Sequence, residues 1–355
     1  MKNKANYITI QSDKQNRAKK NTVKCSALFC AVLLISYSLF SAFTLSACTP
    51  ASTPVTKSSF FFNTYITITF YSETDAAYFP QCEAMCRKYE SLLSRTVEGS
   101  DIYKINHANG ESVIVSDETA ALINDALSFS ELTDGAVDIT VAPLMDLWDF
   151  TSDKTDKIPP SDSEITEALK HVDYKNLSVN GNEITLSDPN ASIDLGFIAK
   201  GYIADKLKEY LVSQGVKSAL INLGGNIQLI GCKPDGDDYI IGVKKPFTTT
   251  DETLTSLPLR DTSFVTSGIY ERCYEYDGNF YHHILDPKTG YPVNSGLNQV
   301  SVLCNNSETA DALSTTLMLL GQKEGMDFLS NHDFKAHAIF VDSSNTMTYS
   351  QDFPE

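Results

Sequence analysis

Positive charge is scarce in this chain: 28 Lys and Arg stand against 45 Asp and Glu in 355 residues, a net charge of −17. Seven of the cations (Lys2, Lys4, Lys14, Arg17, Lys19, Lys20 and Lys24) fall before residue 25, so from residue 48 on 21 basic residues face 44 acidic ones, a net −23. Such a chain lacks the general basic surface that nucleic acid or anionic lipid requires. A phosphorylated ligand would need local neutralisation by a metal ion, by backbone amides at a helix start, or by one well-placed lysine. Paired cysteines are missing too. Of eight cysteines none forms a CxxC pair, and beyond Cys25, Cys30 and Cys48 an odd five remain: Cys82, Cys86, Cys232, Cys273 and Cys304. This argues against a disulfide scaffold or a zinc site, and a bond between Cys82 and Cys86, one helical turn apart, would strain the helix. GxGxxG and GxxxxGK[ST] are both absent, which removes support for the familiar nucleotide-binding folds.

What is present at the N-terminus is a basic stretch followed by residues 25–47, which carry no charge, and then Leu45-Ser46-Ala47-Cys48. A basic region, an apolar run and small residues before a cysteine predict a lipoprotein signal over 1–47, similar to the bacterial lipobox, with Cys48 lipidated. An uncleaved anchor is the alternative, since 23 uncharged residues approach the roughly 20 that span a bilayer. Either reading puts the folded part at the extracytoplasmic face of the cell membrane. Residues 48–59 then form a polar tether, and 60–355, with no repeat and no second Pro/Gly/Ser-rich boundary, form one large unit, of one lobe or of two interwoven ones.

Within that unit FFNTYITITFY alternates as a strand does, while Ala76–Leu93 and Asp117–Thr133 show helical spacing, the second with Asp117 as cap. Asn176–Leu186 reads as a hairpin turning at Asn180-Gly181, and Ser218–Ile230 as a buried strand interrupted by Gly224-Gly225. Strands and helices mix without βαβ regularity, which predicts an α+β fold.

Several segments could carry chemistry. YHHILDPKTG (residues 281–290) places His282, His283 and Asp286 beside a turn enforced by Pro287 and Gly290. Alternate strand residues face opposite ways, so the two histidines have different surroundings. SIDLG followed by IAKGYIADKLKEYL predicts a strand, a glycine turn and a helix with Lys200 in its first turn, either an anion site or an ordinary strand-to-helix turn. Asp311 and Thr315, four apart, share one helical face on a helix ending at Gly321; as hard oxygen donors they suit Mg²⁺, though an N-cap aspartate with a threonine beside it has the same pattern. NLGGN at 222–226 and VTSG at 265–268 are small turns, and Asp138 to Pro143, with Asp146 and Trp148, pairs a carboxylate with a Pro-initiated helix.

In this order the segments FNTYITITFYS, GAVDITVAPLMDLWDF, IDLGFIAKGYIADKL, ALINLGGNI, TSGIYERCY, YHHILDPKTGYPV and ADALSTTLMLLG resemble the ApbE-type FAD:protein FMN transferase family, over about Phe60 to Gly321. The resemblance implies a single large α+β domain of T-fold-like character, with mixed sheets, packed helices and the FAD site between lobes. It implies a Mg²⁺-dependent enzyme that moves FMN from FAD onto a Thr or Ser hydroxyl of an acceptor protein with an FMN-binding domain, releasing AMP. Carried over by motif, the metal ligands are Asp311, Thr315 and the Phe197 carbonyl. Flavin-nucleotide contacts fall to Phe62, Ala136, Val137, Asp138, Asp194, Lys200 and His283, with His283 and Asp311 as catalytic residues. His283 is the candidate base, Asp286 supports its loop, and His282 is the structural neighbour. Two positions depart from the family pattern: Asn63 and Phe197 stand where small residues are usual. Hydrolysis of FAD in the same site and non-catalytic flavin binding are the competing readings.

Overall fold

The computed structural model describes residues 53–354 except Asp153, and from Thr53 on they form one compact unit. The segment 1–47 and Cys48, on which the export and lipidation expectations rest, lie outside the described residues. Among the described residues no helix is long and apolar enough to cross a membrane.

Eight strands build the main sheet: β1 (Val55–Phe61), β2 (Thr64–Phe70), β3 (Ser218–Leu223), β4 (Asn226–Gly231), β5 (Ser263–Gly268), β6 (Leu297–Cys304), β7 (Ala336–Asp342) and β8 (Met347–Tyr349). Their order in space is their order in the chain, and every neighbouring pair is antiparallel, narrower than the mixed sheets expected. Antiparallel neighbours need no crossover, so each gap is free to be a tight turn or a long insertion. Residues 71–217 are the largest insertion, with helices α1 (Glu73–Ala76), α2 (Phe79–Leu93), α3 (Asp101–Asn106), α4 (Asp117–Leu132), α5 (Ala142–Trp148), α6 (Asp162–Leu169) and α7 (Ala199–Ser213). A hairpin, Tyr239–Lys244 with Thr253–Leu259, separates β4 from β5. Another, Cys273–Tyr276 with Asn279–His282, separates β5 from β6, and helix α8 (Ser307–Asn331) separates β6 from β7.

The period-2 pattern of β2 and β3 sends Ile66, Ile68, Phe70, Ala219, Ile221 and Leu223 to one face, where they pack on α2, α4 and α7. Further along, Val265, Val300, Val302, Ala338 and Phe340 meet Leu313, Leu317 and Met318 of α8. The opposite face is covered by Tyr239, Ile241 and Val243 of the first hairpin, lying on Phe264, Leu303, Ile339 and Val341. Sandwiched between, β6 is buried at every position. Each such fully buried aliphatic or aromatic side chain contributes about 1.5–3 kcal/mol.

Several expectations need correction. FFNTYITITFY is two strands joined by Phe62-Asn63, and β1 takes up residues 55–59 of the expected tether. Ala76–Leu93 breaks at Ala77-Tyr78, and Pro80 starts the longer helix. Ser116, not Asp117, caps α4, because its hydroxyl takes the Thr119 N–H. The hairpin of residues 177–186 turns at Gly181-Asn182, one residue later than expected. Ser192–Gly196 is not a strand. It makes one bridge, Val141 to Ser192, because Asn106 takes both Ile193 backbone groups, at 2.8 and 3.0 Å, in place of a ladder.

Candidate active site

Helix α7 starts at Ala199, and its N-cap residue, Ile198, has no side chain that can cap it. Its missing acceptor comes from α8: Asp311 Oδ2 takes the Gly201 N–H at 2.9 Å. The favour is mutual. Asp205 of α7 accepts the N–H groups of Ser307 and Glu308, at 3.0 and 2.9 Å, and the Asn306 amide at 2.9 Å. Each helix thus supplies the carboxylate that satisfies the other's first turn, where the dipole favours negative charge. The close crossing depends on Gly201, since a Cβ there would overlap the Ser307 carbonyl. Asp311 is therefore not an N-cap of its own helix; Asn306 is, through the Thr309 N–H. Nor does α8 stop at Gly321: that residue (φ 78°, ψ 175°) breaks the helix, which resumes to Asn331.

Asp311 is 2% exposed. Burial pushes its carboxyl up from the usual carboxylate range, against the pull of Lys200 and the Gly201 N–H. Lys200 Nζ stands 3.7 Å from Asp311 Oδ1 and 3.4 Å from the Gly196 carbonyl. The Asn226 amide, just after the Gly224-Gly225 turn, faces the same carboxylate, and its buried Nδ2 has no hydrogen-bond partner of good geometry. Phe197 precedes the N-cap residue Ile198, so its carbonyl lies outside the α7 hydrogen-bond ladder. Thr315, one turn after Asp311 and partly accessible, lies 3.3 Å from the Ser267 hydroxyl. Ser267 also meets Ser314 at 2.7 Å.

The two histidines separate as their alternation predicts. His282 is 4% exposed, and both its nitrogens are used: Nε2 donates to the Val293 carbonyl at 3.0 Å, and Nδ1 accepts the Ile284 N–H at 3.3 Å. Burial pushes its pKa down to about 4. His283 keeps some accessible surface, although protein surrounds its ring. Its Nδ1 donates to the Arg272 carbonyl at 3.3 Å, which fixes the tautomer and leaves the Nε2 lone pair free. Burial first, then Arg272, His282 and Lys200, hold its pKa down to about 3. Asp286 shapes the turn below, accepting from Lys288 N at 2.8 Å and from the Thr289 hydroxyl at 3.1 Å. Gly290 (φ 77°) docks that turn against Ile165 and Leu144, and Trp148 Nε1 donates to its carbonyl at 2.8 Å.

The remaining carried-over residues have other partners. Asp194 binds Arg95 Nε at 2.8 Å and takes the Gly196 N–H at 2.6 Å; Arg95 also pairs with Asp146. Asp138 is buried and accepts from Thr140 N, the Thr140 hydroxyl and Tyr174 N, at 2.8, 2.6 and 3.0 Å. Ala136 and buried Val137 form the turn before it, anchored on Thr133. A hollow of about 370 Å³ runs from this turn (Gly135, Asp138) past Tyr174 to Pro287 and Lys288. Phe62 and Asn63, both at φ 55°, form the β1–β2 turn, and the Phe62 N–H donates to Glu90 at 2.8 Å. Asparagine tolerates the left-handed region, which explains how it stands where glycine is usual.

Residues 62–340 match the model of the ApbE family, and that span runs from the Phe62 turn through both helices, both histidines and most of β7. The chain belongs to the ApbE family. It is 37% identical over 258 residues to a FAD:protein FMN transferase of Klebsiella pneumoniae, covering 72% of this chain and 79% of that protein. With the FAD:protein FMN transferase of Vibrio cholerae it shares 32% over 247 residues, 69% and 74% of the two. Among solved structures the ApbE protein of Thermotoga maritima superposes with a TM-score of 0.77 at 34% identity, covering 84% of this chain and 97% of that one. The ApbE flavin transferase of Vibrio cholerae gives 0.76 at 27% identity, covering 85% and 98%. The α+β architecture is thus that of the ApbE fold.

Arg95 and Arg272 are what sequence reading passed over. Arg272 sits inside a recognised motif, TSGIYERCY, and could have been weighed as a cation near His283. For Arg95 nothing local signals the role, because its partners Asp146 and Asp194 come from remote segments.

Proposed function

We propose that this chain is a FAD:protein FMN transferase that acts on a Thr or Ser hydroxyl of an acceptor protein carrying an FMN-binding domain, releases AMP, and works lipid-anchored through Cys48 at the extracytoplasmic face. The observation that carries the reading is the convergence of Lys200, Asp311 and His283 at one corner of a chain of this family. The Mg²⁺ donor set would be the Asp311 carboxylate, the Thr315 hydroxyl and the Phe197 carbonyl. These are hard oxygen donors, and with Oδ2 on the Gly201 N–H and the Lys200 ammonium 3.7 Å from Oδ1, the buried carboxylate keeps lone pairs for a metal. Among the described residues no three His, Cys, Asp or Glu side chains cluster as a metal site, so backbone and hydroxyl oxygens have to complete this one. Bound there, Mg²⁺ would neutralise the pyrophosphate of FAD.

The chain's own residues do the rest. Lys200 and the unpartnered Asn226 amide offer donors to phosphate oxygens. The acceptor hydroxyl oxygen attacks the FMN-side phosphorus, the bond to the AMP phosphate breaks, and AMP leaves with the electron pair. The hydroxyl proton passes to His283 Nε2. With a pKa of about 3 the imidazole is neutral but weakly basic in the free enzyme. A bound pyrophosphate offsets Lys200 and Arg272, which raises that basicity when the substrate is in place. The test is to incubate the protein with FAD, Mg²⁺ and a candidate acceptor. FMN-labelled acceptor together with AMP supports the reading, whereas free FMN with unlabelled acceptor identifies a hydrolase.

A further inference from the structure

Arg95 has no part in the chemistry above, yet its guanidinium touches two of the segments that build the site. It lies in the loop between α2 and α3 with its side chain 17% exposed, Nε 2.8 Å from Asp194 Oδ2 and Nη1 on Asp146 of α5. That loop is closed on itself, since the Ser100 hydroxyl donates to the Ser94 carbonyl and the Ser100 N–H to the Val97 carbonyl at 3.1 Å. Asn106, at the end of α3, holds both backbone groups of Ile193, the residue before Asp194.

From Asp194 a line of contacts runs to Asp311. Asp194 Oδ1 accepts the Gly196 N–H at 2.6 Å, the Gly196 carbonyl takes Lys200 Nζ at 3.4 Å, and that ammonium stands 3.7 Å from Asp311 Oδ1. From Asp146 a second line runs the other way. Helix α5 carries Leu144 and Trp148, which hold the Gly290 turn below His283 by packing and by the Nε1 bond to the Gly290 carbonyl. The two segments also meet at the backbone, where Asp194 N donates to the Ile139 carbonyl at 2.8 Å and Ser192 bridges Val141. A guanidinium is a planar fork, so one that engages both carboxylates fixes their separation and angle, which an ammonium on a flexible stem does not.

We infer that Arg95 is a positioning residue for flavin transfer: by clamping Asp194 against Asp146 it holds Lys200 in register with His283 and the turn beneath it. The inference rests on the transferase reading. Lys200 has to meet phosphate while His283 Nε2 meets the acceptor hydroxyl, and the two come from segments remote in sequence, so their spacing depends on what joins those segments. A displacement of about 1 Å in such a pair is enough to cost roughly a hundredfold in rate.

The test uses the full-length chain with Arg95→Lys and Arg95→Gln. Transfer is measured at saturating FAD and acceptor, FAD affinity by flavin fluorescence, and stability by thermal melting. Arg95→Lys keeps the charge and loses the fork, so transfer should fall by roughly tenfold or more, with FAD affinity within a few-fold of wild type and the melting temperature near it. Arg95→Gln also leaves Asp194 without its cation, so it should melt lower and lose about a hundredfold in transfer. In a Lys200→Ala background Arg95→Lys should add little further loss, because the group it positions is gone, whereas an independent contribution would multiply. Wild-type transfer in Arg95→Lys, losses that multiply with Lys200→Ala, or a deficit no larger than the unfolded fraction would each overturn the proposal. Failure of the wild type to label any acceptor would instead count against the transferase reading itself, and FAD hydrolysis by the same variants would then carry the comparison.

Discussion

The corner where α7 crosses α8 and the segment from Cys273 to Gly290 both deliver groups to the site, but they are stabilised by opposite means. At the crossing, charge is buried and tied to backbone: Asp311 and Asp205 each cap the other helix. In the hairpin and turn, apolar contact and turn geometry do the work, with Tyr274, Tyr281 and Trp148 beneath and Asp286 and Gly290 fixing the bend. The lesson is that a carboxylate at the crossing cannot be altered without touching the fold's hydrogen bonds, while the free nitrogen of His283 can be removed with little structural loss. The adjacent His282 belongs to the structural side of that division.

The largest effect should come from Asp311→Ala, which removes the proposed metal carboxylate and orphans the Gly201 N–H. Transfer should drop by about a thousandfold or more, with about 1–3 kcal/mol lost in chemical denaturation. Wild-type labelling rates in this variant would refute its assigned role. His283→Ala should lower transfer by about 10²–10⁴-fold while leaving the denaturation midpoint near that of the wild type; a large drop in stability would place this histidine with His282.

Acid pH tests His282 itself. Its folded pKa is about 4 against 6.5 in the unfolded chain, so between these values the unfolded state holds more protons and stability falls as pH falls. This one group should account for roughly 3 kcal/mol across that window, and His282→Gln should flatten the slope measured by urea denaturation at successive pH values. Gly201→Ala should separate the helices at the Ser307 carbonyl and cost about 1–3 kcal/mol, with transfer reduced alongside; an unshifted melting curve would show that the crossing is looser than described. Smallest is Trp148→Phe, which deletes the hydrogen bond to the Gly290 carbonyl at about 1 kcal/mol and should leave transfer within a few-fold of wild type.

Legibility in the sequence followed range. Helix α7, the 177–186 hairpin and the split of the two histidines depend on patterns within a few residues, and each appears, with boundaries moved by a residue or so. The Ser192–Gly196 segment misled because an apolar run reads as a strand, whereas Asn106, remote in sequence, supplied its hydrogen bonds. Asp194 looked free for a ligand until Arg95 was found against it.

By itself the sequence determined the family and the α+β class, because periodicity, turn residues and motif order are local and survive without coordinates. Only the tertiary structure decided what each charged group faces. Whether Asp311 caps its own helix or its neighbour's, whether Asp138 and Asp194 are engaged internally, and which histidine nitrogen is free are set by contacts between distant segments, and hydrogen-bond geometry and burial act over a few ångströms of space rather than along the chain.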